Sequence, residues 1–256
     1  MNFMIMGYER KGEWAHLAET EQQNRIRKHQ EGLTRLFNQR SAAGRPHLTM
    51  SVGLHDNNRA GFPMETSTKL RFDGERASIT DGPFTESKEV LAGFDVINFD
   101  SYDEALEWKL SLGFDHEVHV SEIRPVKGGG LIYHGHRPTT ATKYLMVFAS
   151  NPRAGVREAH DRVATEYVLK GFLDESICLA SVRLAEPAEA RTIRIRQGKP
   201  VVLDEPFTDG REAVGGLAIL DCDSRDAALD WARRFTAIEG AVTEVMPCGM
   251  WWTQLL

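Results

Sequence analysis

A basic surplus is missing from this sequence. Its 31 Lys and Arg are outnumbered by 37 Asp and Glu, and no run of positive residues occurs. Phosphate neutralisation needs a concentrated basic surface, so no nucleic-acid partner is expected. Long apolar runs are missing too. The stretch YLMVFA from Tyr144 is typical of the longest, far short of the roughly 20 residues that span a bilayer, so no membrane partner is expected. Cysteine is scarce. Cys178, Cys222 and Cys248 all fall in the second half, without metal-type spacing. An odd count suits a reducing compartment, and a cytoplasmic location is expected. The start, MNFMIMGYERKGEW, has no basic segment ahead of an apolar one and reads as a strand rather than a leader. No nucleotide loop, GxSxG elbow, HExxH pair or CxxC occurs, and no cofactor is expected. KGGG from Lys127 is followed by no helix signature and is not a phosphate loop.

What the sequence does contain is one sentence written twice. TDGPFTESKEVLAGFDVINFDSYDEALEW runs from Thr80, and LDEPFTDGREAVGGLAILDCDSRDAALDW from Leu203, without a gap at an offset of 123. SEIRPV from Ser121 matches TEVMPC from Thr243, and FMIMGY from Phe3 answers YLMVFA. A repeat of this kind is decisive for architecture. Two copies are too few for a solenoid, so each is close to a folding unit. The division is residues 1–126, a Gly/Thr/Pro-rich linker at 127–143 with ordered contacts expected at Leu131, Ile132 and Tyr133, a second copy at 144–250, and a Trp-rich tail at 251–256.

Each copy reads as strand, helix, strand, hairpin, strand, helix, strand. The first helix is expected over about Glu21–Ala42, with apolar positions Ile26, Leu33, Leu36 and Phe37 on one face, and its counterpart over about Val156–Leu169. Asp73-Gly74 and Gln197-Gly198 supply hairpin turns. Ser101 or Asp103 caps the second helix. This order is the ferredoxin-like split βαβ with an added hairpin. One such unit leaves a sheet face bare, and the second copy is its simplest cover. The fold class is therefore α+β, two ferredoxin-like repeats packed face to face or curled into a shared barrel.

The stretch ITDGPFTESKEVLAGFDVINFDSYDEALEWK, followed by EIRPV, resembles the DGPF signature of the YCII-related family of small bacterial proteins. The resemblance implies an intramolecular dimeric α+β barrel with an added hairpin in each repeat, and a bacterial cytosolic setting. It implies no established reaction, although a His–Asp pair in a cleft has led some members to be regarded as enzymes. Genes of DGPF type often neighbour those for extracytoplasmic-function sigma factors, so the resemblance also implies a regulatory or stress context. The second copy departs from the pattern: DEPF replaces DGPF, and EVMP lacks the arginine of EIRP, Arg124. A site is therefore expected in the first copy.

Its candidate catalytic residues are His29 and Asp81. His29, with His160 as its counterpart, best matches the family's helix histidine, and Asp81 or Asp56 is the expected acid. A helix histidine is suited to general-base work near neutral pH, though many are simply packed or solvated. Asp81 can equally serve structure, because an acid ahead of Gly-Pro holds a turn while Phe84 plugs the core. The expected substrate-binding residues are Phe84, Glu86, Lys88 and Arg124, with Arg124 also the expected partner of Glu89. His116, His119, His134 and His136 lack ligand spacing, so no metal is expected. Trp108 and Trp231 read as core, whereas Trp251 and Trp252 dock on this chain or cover an interface. The function expected is small-molecule binding in a barrel cleft with His/Asp acid–base chemistry. The alternative is a non-catalytic interaction module linked to sigma-factor signalling. Fold analogy alone suggests a cofactor-free oxygenase or isomerase. A homodimer of pseudo-dimers is a further expectation.

Overall fold

The computed structural model describes residues 1–10, 16–39, 48–53, 67–72, 77–81, 89–112, 120–127, 132–133, 143–149, 177–197, 199–207, 213–239 and 242–253. The first copy contributes β1 (Asn2–Arg10), α1 (Glu19–Asn38), β2 (Leu48–Gly53), β3 (Thr68–Phe72), β4 (Ala77–Asp81), β5 (Glu89–Asn98), α2 (Tyr102–Ser111) and β6 (Val120–Pro125). The linker carries β7 (Ile132–Tyr133). The second copy contributes β8 (Lys143–Ala149), β9 (Cys178–Arg183), β10 (Arg191–Arg196), β11 (Lys199–Leu203), β12 (Val214–Asp221), α3 (Arg225–Glu239) and β13 (Thr243–Thr253). The counterpart of α1, expected near Val156–Leu169, lies outside the described residues, as does His160.

Local signals account for these elements. Ser101 accepts from the Glu104 amide at 3.1 Å, and its repeat mate Ser224 accepts from the Ala227 amide at 3.2 Å, so both second helices start on the same cap. In α1, Leu33 and Leu36 are buried, and acidic residues sit in the first turn with Arg35 in the last, matching the helix dipole. The β10–β11 hairpin turns through Gln197 at φ 52°, the left-handed region, just ahead of Gly198.

The protein is α+β with antiparallel sheets. Strands of the first copy run β6-β1-β5-β2, and those of the second run β13-β8-β12-β9. The copies exchange their hairpins: β3 pairs with β13, and β10 pairs with β6. β13 continues past Met250 to pair with β2, setting Trp252 against Ser51, so residues 251–253 belong to the last strand. The Trp251 and Trp252 side chains lie outside the described residues. At the other junction Val126 bridges to Leu184, and the Ala185 amide donates to Pro125 O at 2.8 Å. In the linker, Ile132 and Tyr133 pair with β9.

Alternation along the strands divides the core. Met4, Met6 and Tyr8 pack in one cluster with Leu145, Val147, Leu217 and Met246 of the second copy. Phe3 and Ile5, from the other face of β1, pack with Leu33 and Leu36 of α1 and Ala105 of α2. The second copy has its own helix-side cluster, with Met146, Phe148, Ala218, Ala232 and Phe235. Trp231 belongs to it, and Trp108 packs at the edge of its first-copy counterpart.

Candidate functional site

Asp95 is the unusual residue of β5. It stands opposite Ile5 on one side and Ser51 on the other, facing the helices. It is 4% exposed, and a carboxylate so placed needs partners. Ser51 Oγ donates to Asp95 Oδ1 at 2.6 Å. His29, from α1, brings Nε2 to 3.8 Å from the same oxygen. That separation is an ion-pair distance rather than a hydrogen bond. The His29 side chain is 43% exposed while that of Asp95 is 5% exposed, so the imidazole has one side on the buried acid and the other toward solvent. Lys109 of α2 is also buried. Burial lowers its pKa, opposed by the charges of Asp95 and Glu9. Gly32 lets α1 approach the end of α2 closely, since a Cβ there would lie 2.3 Å from Leu112 Cδ2.

Among the described residues, the second copy has no such cluster. At the offset of 123, Ala218 replaces Asp95 and Ala232 replaces Lys109, and both pack in the apolar helix-side core. Among the described residues, the acid beside His29 is Asp95. It is legible in the sequence only as the one acid inside the mostly apolar strand from Phe94 to Phe99, facing an alanine in the copy.

Asp81 ends β4, opposite Thr68, and its side chain lies outside the described residues. Phe84, Glu86 and Lys88 lie outside them too, as do Asp56, His116, His119, His134 and His136. The second copy shows what its own motif does. Asp204 lies 3.3 Å from Arg191 Nε with its side chain 88% exposed. The Phe207 amide donates to Glu122 Oε2 at 2.9 Å, and its ring stacks on Tyr8 with centroids 4.1 Å apart.

Arg124 is fully buried. Its guanidinium donates to Glu122 and to the Val214 carbonyl. The expected Glu89–Arg124 pair does not form: Arg124 stands opposite Met4, while Glu89 stands opposite Arg10, six residues and about 20 Å farther along β1. Alternation also puts Arg124 on the Met4 face of the sheet and Asp95 on the Ile5 face, so Arg124 and the His29–Asp95 pair lie on opposite sides. Burial raises the Tyr8 hydroxyl pKa well above its usual value, with Glu122 adding to it and Arg124 opposing.

Among the described residues, no group of three His, Cys, Asp or Glu is placed to hold a metal, and no helix is long and apolar enough to cross a membrane.

An uncharacterized protein of Rhizobium meliloti (strain 1021) is 41% identical over 51 residues, which are 20% of this chain and 41% of that protein's length. The solved structure of an anthrone oxidase-like protein aligns at a TM-score of 0.36 with 9% identity, over 97% of this chain and 93% of that one. A protein of Fusobacterium nucleatum subsp. nucleatum ATCC 25586, described as a candidate monooxygenase, aligns at 0.42 with 5% identity over the same shares. At such scores neither likeness assigns a function. The YCII-related domain family matches residues 1–127 and again 131–250, and the chain therefore belongs to that family as a tandem member with two copies.

Proposed function

We propose that this protein binds a small molecule beside His29 and Asp95, with His29 as the general acid–base group and Asp95 as the carboxylate that orients it. The observation that carries the reading is the pairing of a half-exposed imidazole with a buried acid at 3.8 Å, in the copy that keeps the intact motif. Base and orienting acid on one sheet face are the minimal apparatus for moving a proton on a bound substrate. Asp81 is kept as a second carboxylate of the reading, carried by the hairpin. The scaffold is proposed to be an intramolecular α+β barrel of two ferredoxin-like repeats with exchanged hairpins. Its support is the equivalent strand order of the two copies, together with the β13–β2 pairing and the Val126–Leu184 bridge.

The test begins with native mass spectrometry of freshly purified protein, repeated under denaturing conditions. A mass that leaves on denaturation identifies the ligand. His29→Gln and Asp95→Asn are then expected to abolish the pH dependence of its turnover or binding while the fold persists, with Asp81→Asn run beside them. Unchanged pH dependence in both His29 and Asp95 variants would sink the acid–base reading.

One observation favours the interaction reading. Ile79 on β4 and Val202 on β11 are 44% and 38% exposed, and they are equivalent positions at the offset of 123. Each lies on a hairpin strand paired on one side among the described residues, a place open to another chain. Sedimentation velocity of Ile79→Lys and Val202→Lys against the parent reads this directly; the same mass for all three, at every concentration, excludes self-association through these strands.

A further inference from the structure

The Glu122 carboxylate is divided between two donors. Oε1 accepts from Arg124 Nη2, and Oε2 accepts from the Phe207 amide at 2.9 Å. Arg124 gives Nη1 to the Val214 carbonyl. Its Nε–H has no hydrogen-bond partner among the described residues, although the side chain is fully buried. A buried donor left over in this way is costly and needs a reason. The shape of the guanidinium supplies one. Nε–H and one Nη2–H point the same way and fit the two oxygens of a single carboxylate. Glu122 has the second oxygen for that fork, but the Phe207 amide occupies it.

The turn that carries Phe207 is held in two different ways. Its base is tied to its own hairpin: Asp204 lies 3.3 Å from Arg191 Nε, and Thr192 Oγ1 donates to the Glu205 carbonyl at 2.7 Å. Its far end reaches the first repeat through Phe207, by the amide on Glu122 and the ring stacked on Tyr8. Asp204 and Glu205 are exposed and Phe207 is half-buried, so a surface turn covers a fully buried charge pair. The other copy is different. There Glu244 repeats Glu122 and is buried, but Met246 takes the place of Arg124. The fold buries this glutamate in both copies and sets an arginine two residues on in only one.

We propose that the DEPF turn is a two-state latch on one end of the inter-sheet core. In the closed state Glu122 is shared between Arg124 and the Phe207 amide. In the open state Phe207 leaves, Oε2 turns to Arg124 Nε, and the pair closes into a two-bond fork. The freed amide is taken up by water. Arg124 thus compensates Glu122 for the amide it gives up, and opening becomes accessible without unfolding. The hinge is Glu205-Pro206, between the tied base and the free end. Opening bares the Tyr8 ring, otherwise buried in the core between the two sheets. The latch lies on the Met4 face of the sheet and stands independently of the His29–Asp95 reading.

The test follows hydrogen exchange at the Phe207 amide in the full chain, by NMR after 15N-phenylalanine labelling. The strand amides of Phe94 and Phe148 serve as the reference for global unfolding. Arg124→Lys keeps a cation beside Glu122 but cannot form the fork. Opening then loses its compensation, and exchange at Phe207 relative to the reference is expected to slow by roughly tenfold. An arginine that only braces the closed turn gives the opposite sign, because a looser Glu122 would release the amide sooner. Equal or faster relative exchange in Arg124→Lys overturns the latch. Phe207→Ala, which leaves the charge pair intact, decides if Arg124→Lys does not fold. Without the ring on Tyr8 the turn opens more often, and the Arg124 Hε resonance is expected to move downfield as Nε–H gains a carboxylate oxygen. A resonance that stays in place or moves upfield overturns the proposal.

Discussion

The amide of Phe207 donates to Glu122 Oε2 at 2.9 Å, so the second writing of the motif is anchored on the last strand of the first repeat. The β10–β11 hairpin reaches across to β6 and delivers the DEPF turn there, with Phe207 stacked on Tyr8. The Glu122 carboxylate accepts from that amide and from Arg124, and both charged side chains are fully buried.

Removing the arginine alone should therefore be costly. Arg124→Met strips Glu122 of its counter-charge and is expected to lower stability by about 3–5 kcal/mol, whereas Glu122→Gln/Arg124→Met should recover part of the loss because no lone buried charge remains. Urea denaturation followed by circular dichroism measures both. A double variant as unstable as the sum of the singles would show that the charge pair is not the unit involved.

Ser51 supports Asp95 in the same manner on the other face. Ser51→Ala leaves a buried carboxylate oxygen short of its donor and is expected to cost about 1–3 kcal/mol. A double-mutant cycle with Asp95→Ala should show coupling of about 0.5–3 kcal/mol. Additive losses would mean that the 2.6 Å contact contributes nothing of its own.

Lys109 should write itself into the pH dependence of stability. Its pKa lies below the usual 10.5, chiefly through burial. Between the lowered value and 10.5 the unfolded chain holds the proton more firmly than the folded one, so the contribution of Lys109 to stability rises with pH through that window, against the fall from the buried thiols. Lys109→Arg, charged throughout, should flatten the rise. Melting curves across the alkaline range check the slope, and an identical slope in the variant would refute the assignment.

The three cysteines should be silent in the native state. All are free and buried, and burial pushes Cys178, Cys222 and Cys248 each up to about 12 from 9.0. At about pH 8 the native thiols are protonated and shielded, so Ellman's reagent should react slowly with the folded protein and rapidly with all three thiols in guanidinium. Rapid modification of the folded chain would contradict the burial. Because the folded values are raised, these thiols lower stability as pH climbs past 9.0.

Much of the architecture was legible in the chain. The repeat announced two equivalent units, and the paired DS steps marked caps that Ser101 and Ser224 both form. Apolar alternation located the strands. His29 was legible as a helix histidine, but Asp95, the described acid beside it, was not singled out. Asp95 reads as the one acid within a mostly apolar stretch of strand, and nothing within a few residues of it tells which side chain will come from β2 or α1. The Glu89–Arg124 expectation failed for the same reason: register along β1 separates them by six residues, and register is a property of paired strands.

By itself, then, the sequence determined the elements, their duplication and the helix caps, because capping, turn chemistry and alternation act over a few neighbouring residues. Only the tertiary structure decided that the hairpins exchange between repeats, that Ser51 and His29 converge on Asp95, and that the Phe207 amide meets Glu122. Those relationships join residues dozens of positions apart. Each depends on which strands pair and in what register, and that choice is made by the burial of whole sheet faces rather than by any local stretch of chain.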